Sequence, residues 1–185
     1  MEYNVEFIKI RESHLQQLMD WRMRPDITQY MYTDPHLTLE GQKKWLEKIT
    51  QDLTRKDFVI SVNQTPAGYL NITDIDKVNK RCNWGWFIGD ESVKSLQLAV
   101  RLEWNLCDYV FYTLGMNKLC NETFVENRFV VHLHKLCGCT QEGILRQHIC
   151  KNGVYYDVSV GSILAKEWAQ KRSACQYEVF PFEDE

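Results

Sequence analysis

The chain has 185 residues, of which 44% are hydrophobic and 12% aromatic, which suffices for one domain with an ordinary core. Its formal net charge is −3 with both signs interspersed, and this argues against a protein that binds nucleic acid by neutralising phosphates. The seven cysteines show no zinc-site spacing, and no signal peptide is recognised, so we expect free thiols and a cytoplasmic location. No apolar run approaches the roughly 20 residues that a membrane span requires.

The N-terminal part of the chain predicts one strand followed by helices. Residues 5–10 alternate apolar and polar side chains, which is typical of a strand. Ser13 is a predicted N-cap, because apolar residues recur at helical spacing directly after it. A later helix is predicted to begin at Thr38, with a buried stripe that extends to Leu53.

The middle of the chain predicts a meander and a long helix. Strands are predicted at 58–62, 68–72 and 83–88, with turn-forming residues between them. A helix over about 98–114 follows, and Gly115 is a suitable residue to end it.

The C-terminal part predicts a strand at 119–125, a helix at 127–136 and a hairpin whose turn is Asn152-Gly153. The resulting order, β-α-α-β-β-β-α-β-α-β-β, is that of a mixed α/β (α+β) domain rather than a doubly wound sheet. We expect one domain over residues 1–168 and a loose C-terminal tail over 169–185, which ends in an acidic cluster.

Besides the order of elements, three groups of short sequence motifs help to indicate a family. They lie in the N-terminal helices, in the strand and helix after Gly115, and around the C-terminal hairpin. They read Trp21-Arg22 with Pro25-Asp26-Ile27, Tyr30-Met31 and Leu39-Glu40 … Trp45; Glu122 … Asn127 … Leu133-His134-Lys135; and Arg146-x-His148-Ile149-x-Lys151-Asn152-Gly153-x-x-x-Asp157-Val158 with Ile163-Leu164 and Glu167-Trp168. In this order they resemble the GNAT acyltransferase superfamily over nearly the whole chain. They are most similar to the branch that acetylates the 4-amine of a UDP-linked amino-dideoxy sugar in the pseudaminic acid pathway.

The resemblance implies the GNAT fold, a central, mostly antiparallel and splayed sheet flanked by helices, and acetyl-CoA as co-substrate. In this fold the pantetheine arm lies between two strands, so main-chain groups of Phe87 and Ile88 would bind it, and Asn127 would contact it as well. The pyrophosphate would bind at the start of the long helix, on a loop that corresponds to Lys94, Ser95, Leu96, Gln97, Leu98 and Ala99.

The loop departs from the family pattern at Gln97, where the family has a glycine. A glutamine side chain would crowd the pyrophosphate, so we expect weaker or altered donor binding. Taken without the resemblance, the same residues are also consistent with an ordinary helix start that binds no phosphate.

Direct attack of an amine on a thioester requires a neutral amine and a proton for the leaving thiolate. His134 stands where the family often has a tyrosine acid, so it is the candidate proton donor, with a surface or capping histidine as the alternative. Glu122 corresponds to a cleft-facing glutamate and is the candidate base, through a water, with a strand-edge carboxylate paired to a lysine as the alternative. Asn127 is also consistent with a simple helix cap.

The first helices cover the acceptor site in this superfamily, so substrate contacts are expected from Trp21, Arg22, Tyr30 and Gln42. Arg22 would pair with a nucleotide phosphate and an aromatic ring would stack on uracil, although the family tends to have histidine at Gln42. For Trp21 a place in the core is the alternative. The basic residues of this segment favour an anionic acceptor.

The resulting hypothesis is an N-acetyltransferase that moves an acetyl group from acetyl-CoA to the amine of a nucleotide-linked amino sugar. The alternatives are a ribosomal-protein N-terminal or polyamine acetyltransferase of the same fold, or a catalytically weakened GNAT-like binding domain. The expected partner is a small molecule, in particular a UDP-amino sugar. No metal, nucleic acid or membrane is expected, and the chain would be a monomer or a homodimer.

Overall fold

The computed structural model of the protein describes residues 4–183. Its strands are β1 (Val5–Lys9), β2 (Lys56–Val62), β3 (Thr65–Asp76), β4 (Arg81–Ile88), β5 (Lys118–Phe124), β6 (Thr140–Lys151) and β7 (Val154–Leu164). Its α-helices are α1 (Leu15–Arg22), α2 (Pro25–Thr28), α3 (Leu39–Gln51), α4 (Leu96–Asp108), α5 (Arg128–Cys137) and α6 (Ala165–Arg172). No helix in this part of the chain is long and apolar enough to cross a bilayer.

The strands form one seven-stranded sheet in the order β1-β2-β3-β4-β5-β7-β6. Within the described residues every neighbouring pair is antiparallel except β4 and β5, which run parallel because α4 connects them. This mixed α/β sheet with flanking helices confirms the predicted GNAT fold.

Two apolar layers cover the two faces of the sheet. Alternate residues of β2 show the arrangement: Phe58 and Ile60 belong to the cluster that contains Leu102 of α4, whereas Val59 packs with Trp21 of α1. Because side chains alternate across a strand, one sequence run serves both layers. The helices α1 and α2 therefore cover one face, and α4 covers the other.

The helix ends differ from the prediction at two places. The N-terminal helical segment starts with a 3₁₀ turn, and its capping contact comes from the His14 ring, which accepts the Arg11 N–H at 3.1 Å, rather than from Ser13. Thr38 caps α3 as predicted by accepting the Gly41 N–H at 3.2 Å. The buried stripe does not reach Leu53, which is 87% exposed because α3 ends at Gln51.

The hairpin turn and the long helix follow the predicted pattern. Asn152 and Gly153 have φ angles of 51° and 79°, as a type I′ turn requires. The long helix begins at Leu96 and continues beyond Asp108 into a π-helical turn over Tyr109–Thr113, and Gly115 follows with a φ of 66°.

The expected loose tail is wrong for the part of it that the structure describes. Helix α6 extends to Arg172, and the Phe180 side chain, 2% exposed, lies in the main core cluster. Phe182 forms an isolated parallel bridge with Phe7 of β1, and the Phe7 N–H donates to the Pro181 carbonyl at 2.9 Å. Aromatic side chains hold this segment against the domain, and only Asp184 and Glu185 of the expected tail lie outside the described residues.

Candidate active site

A cleft opens in the middle of the sheet because β4 and β5 pair only at their first residues. The parallel register covers Arg81 to Asn83 against Lys118 to Cys120 and then stops. Further along, β4 remains paired with β3 and β5 with β7, so the two facing edges diverge without a common partner. The space between and above them has a volume of about 930 Å³.

The cleft brings together most of the residues that the sequence singled out. Members from the sheet, from α4 and α5 and from the segment around α2 all line it. These are Arg22, Tyr30, Phe87, Ile88, Lys94, Ser95, Leu96, Ala99, Glu122, Asn127 and His134.

Four expected site residues do not line this cleft. Trp21 is buried edge-on to Phe87, with ring centroids 6.5 Å apart, and it packs so tightly on Gly89 that an added Cβ there would lie 2.1 Å from the indole. Gln42 lies on α3 and Leu98 is a core residue with 1% exposure. Gln97 projects into a separate groove beside Trp104.

The expected phosphate loop over 94–99 is in fact the first turn of α4. Ser95 is the N-cap, and its Oγ accepts the Leu98 N–H at 3.1 Å. The amides of Leu96 and Gln97 have no intrahelical acceptor, as at any helix start, and none of the described residues supplies another. Gln97 lines the separate groove and not the cleft, and the weaker donor binding expected from this residue stays a prediction.

Lys94 stands beside this helix start within a network of charges. Its ammonium forms an ion pair with Glu91 and lies 3.9 Å from Asp26 Oδ2. Arg24 bridges the same two carboxylates, at 2.6 Å from Asp26 and 3.0 Å from Glu91. Lys94 is therefore held at the cleft rim by carboxylates that an anionic ligand would have to replace.

His134 of α5 lines the cleft and is 8% exposed. Its Nδ1 lies 3.0 Å from Oε1 of Glu103, a residue of α4 that is 2% exposed. The Trp84 ring stands edge-on to the imidazole, with centroids 5.0 Å apart. The surface-histidine alternative is wrong, since one ring nitrogen is engaged in the interior and the other remains for the cleft.

Glu122 is exposed on β5 and also lines the cleft. No lysine pairs with it among the described residues; instead the Tyr32 hydroxyl donates to its Oε2 at 2.9 Å. Partial burial and the neighbouring carboxylate raise the pKa of Tyr32 above its usual value, so the phenol stays protonated at neutral pH.

Asn127 caps α5 and also lines the cleft, and its contact with pantetheine stays a prediction. Its side-chain oxygen accepts the Val130 N–H at 3.4 Å at the start of α5, and the residue lines the cleft. The cap fixes the residue while one side of it faces the space between the diverging strands.

The family profile described as an acetyltransferase (GNAT) domain matches residues 4–140. The chain belongs to the GNAT acetyltransferase family. It is therefore an acyl-CoA-dependent N-acetyltransferase.

Named members of the GNAT family resemble the chain at low sequence identity. The spermidine N(1)-acetyltransferase of Vibrio cholerae is 24% identical over 147 residues, which cover 79% of this chain and 84% of that protein. The acetyltransferase PseH of Campylobacter jejuni is 25% identical over 129 residues, which cover 70% of this chain and 78% of PseH. The crystal structure of the Vibrio cholerae enzyme in complex with CoA and spermine superposes with a TM-score of 0.84 at 22% identity, covering 90% of this chain and 98% of that one. This superposition supports the GNAT fold.

The GNAT cleft also contains side chains that the sequence did not indicate. Tyr32 and Asp74 line it, and Glu103 supports it from behind His134. Glu103 had a detectable signal, because it is a charged residue on the otherwise apolar side of α4, beside Ala99 and Leu102. Tyr32 had none, because it lies outside any periodic segment.

Proposed function

We propose that this acetyltransferase acts on a primary amine carried by a small, negatively charged acceptor, and that the acceptor class is a nucleotide-linked amino sugar. Three features of the cleft support the proposal: a cation without an ion-pair partner among the described residues, the Glu122 carboxylate, and a buried imidazole. The cation favours an anionic over a purely cationic acceptor.

The main support for the proposal is the position of Arg22 in the cleft and the surroundings of its guanidinium. This residue lines the cleft, yet no carboxylate of the described residues lies within ion-pair distance of its guanidinium. Its Nη1 donates to the Met31 sulfur at 2.7 Å, and a thioether is a weak acceptor. Burial lowers the pKa of Arg22, but the group stays charged at any physiological pH. A half-buried guanidinium without a counter-ion is suited to bind a phosphate or carboxylate of a ligand.

The remaining groups supply the chemistry of acyl transfer. The neutral amine attacks the thioester carbon, the new C–N bond forms, and the C–S bond breaks to release the CoA thiolate. In the proposal His134 gives its cleft-facing proton to that thiolate, and Glu122 takes the amine proton through a water. The free amides of Leu96 and Gln97, with Lys94, would bind the pyrophosphate of acetyl-CoA.

A panel of three acceptors tests the proposal: a UDP-linked 4-amino-4,6-dideoxy sugar, the same amino sugar without the nucleotide, and spermidine. The acetylated products are measured by mass spectrometry with acetyl-CoA as donor. We expect the UDP-sugar to have the highest kcat/KM. Arg22→Met should raise KM for it by about ten- to one-hundredfold, the value of one charge-assisted hydrogen bond, and leave the free sugar nearly unchanged.

Arg146→Met is the matched control, because Arg146 is exposed on β6 and does not line the cleft. It should leave all three acceptors unaffected. Equal loss with Arg22→Met and Arg146→Met, or a UDP-sugar that is no better than the free sugar, would contradict an anionic acceptor.

A polyamine is the second candidate acceptor. Carboxylates of Glu122 and Asp74 line the cleft without an ion-pair partner among the described residues, and three of the related proteins are named as spermidine N(1)-acetyltransferases. Opposite charges of this kind are what a polycation requires. If kcat/KM is higher for spermidine than for the UDP-sugar, and if this activity is retained in Arg22→Met and lost in Asp74→Asn, the acceptor is a polyamine and not a nucleotide sugar.

A further inference from the structure

Glu103 is a buried acid whose only basic neighbour at ion-pair distance, among residues 4–183, is the His134 ring. Its Oε1 lies 3.0 Å from Nδ1, and its Oε2 is buried with no hydrogen-bond partner in the part of the chain that the structure describes. A buried carboxylate with one oxygen unsatisfied is costly for stability. Nothing in the packing of α4 requires a charge at this position, since Leu102 and Leu106 beside it are ordinary core residues.

The neighbouring residues leave the imidazole little freedom. Trp84 stands edge-on at 5.0 Å, and Leu133 and Cys137 of the same helix are buried in a cluster with Ala99 of α4. Burial, with the Glu103 carboxylate beside it, raises the pKa of the Cys137 thiol, so this neighbour stays a protonated thiol and adds no charge. The ring is therefore fixed between α4 and α5.

The hydrogen-bond chemistry fixes which nitrogen bears a proton. An ionised carboxylate can only accept, so Nδ1 must carry the hydrogen of this contact. In the neutral ring the Nε2 lone pair is then directed to the cleft, and in the imidazolium the Nε2 proton is the one free to leave.

We propose that Glu103 is a positioning residue that holds His134 in the Nδ1–H tautomer and stabilises its imidazolium form, so that Nε2 is the atom that protonates the leaving thiolate. This inference rests on the proposed role of His134 as the acid. As the C–S bond breaks, the Nε2 proton moves to sulfur, and the ring stays bound to Glu103 through Nδ1–H. Glu103 itself gains and loses no proton.

The tautomer of His134 can be determined without measuring catalytic activity. Long-range ¹H–¹⁵N correlation spectra of the labelled protein separate the two nitrogens of each of the five histidines, and His134→Phe identifies the missing set. At a pH where the ring is neutral, we expect a protonated Nδ1 and an unprotonated Nε2 in the unmodified protein. Observation of the opposite tautomer would overturn the inference, and this test needs no variant of Glu103 to fold.

Kinetics of a double-mutant cycle give the second test. Glu103→Gln keeps the shape and removes the charge, and we expect kcat to fall by about ten- to one-hundredfold with KM for acetyl-CoA within about twofold, as for loss of acid catalysis. In the His134→Phe background the same substitution should have no further effect on kcat. Glu103→Asp, which keeps the charge but shortens the side chain, should be intermediate.

The outcomes separate the two proposals. If Glu103→Gln lowers kcat equally with and without His134, Glu103 has only a structural role and the inference fails. If His134→Phe leaves kcat unchanged, the proposed acid role fails, whatever the tautomer spectra show. A kcat for Glu103→Gln within twofold of the unmodified enzyme would also reject the positioning role.

Discussion

At the scale of single residues, burial decides which of the seven thiols can react. All seven cysteines are free, and Cys82, Cys107 and Cys137 are buried. Burial raises the pKa of Cys82 to about 12 and raises the pKa of the other two as well, so none of them is a thiolate at neutral pH. Cys137, which lies beside the His134 pocket, is therefore no competing nucleophile. Cys150 on β6 is the exposed thiol among the described residues.

We predict that a disulfide reagent such as DTNB labels Cys150 at neutral pH at least roughly tenfold faster than any other cysteine, because a thiol must be both accessible and ionised to react. The labelled peptide is identified by mass spectrometry. Labelling of the unfolded protein gives the total of seven thiols for comparison. In Cys150→Ser the rapid phase should disappear. A rapid phase that persists in this variant would show that one of the half-buried thiols is accessible. The variant is also the suitable background for assays that detect CoA thiol.

At the scale of elements, the hairpin tip holds a segment that lines the cleft. Lys151, although 8% exposed, donates to the Thr28 carbonyl at 2.6 Å and pairs with Asp34 at 2.9 Å. Asn152 donates to the other Asp34 oxygen at 2.7 Å. The segment between Thr28 and Asp34 includes Tyr30, Met31, Tyr32 and Thr33, all of which line the cleft. Two strands at the far side of the sheet therefore fix the position of a segment that lines the cleft.

We predict that Lys151→Met increases amide hydrogen exchange in residues 28–34 by roughly five- to tenfold, because the segment loses its cross-sheet anchor. Hydrogen-exchange mass spectrometry measures this, and Lys166→Met, an exposed lysine on α6, is the control. Contacts with Lys151 and Asn152 lower the pKa of Asp34. The ion pair is thus complete above the ordinary carboxyl pKa of 3.8 and is lost only as the pH falls through the lower folded-state value. The difference between variant and unmodified protein should accordingly be constant across neutral pH; a change confined to the hairpin itself would contradict the anchor.

At the scale of the whole molecule, hydrophobic periodicity was sufficient to predict the element order and the fold. The strand alternation and the apolar stripe of α4 are local patterns that a sequence shows directly. The partners of the buried polar residues on this stripe were not predictable: the apolar neighbours of Glu103 mark its position, but neither its contact with His134 nor that of Asn105 with the Glu178 carbonyl follows from the sequence. The direction of Gln97 likewise depends on where α4 begins, and helix ends are the least determined feature of a sequence.

The C-terminal segment shows the same limit on a larger scale. Its acidic composition suggested a loose tail, but Asn105 accepts the Phe180 N–H at 2.7 Å and donates to the Glu178 carbonyl at 3.1 Å. Phe182 stacks on Phe7 at 4.1 Å and on Tyr109 at 4.0 Å. The segment thus covers the edge of β1 and closes the core, and both effects depend on contacts distant in sequence.

We predict that Phe180→Ala lowers the free energy of unfolding by about 3–5 kcal/mol, the usual cost of removing a buried phenylalanine side chain. Urea unfolding followed by circular dichroism measures the change. Val179→Ala is the matched control, because its side chain is 65% exposed and should change stability by no more than about 0.5 kcal/mol. Equal, small effects of the two substitutions on the free energy of unfolding would instead show that the C-terminal segment is loose, as its composition suggested. A large effect of Phe180→Ala alone would show that the C-terminal segment is part of the folding unit, since a detached tail cannot contribute to the stability of the core that Phe180 shares with α4 and β1.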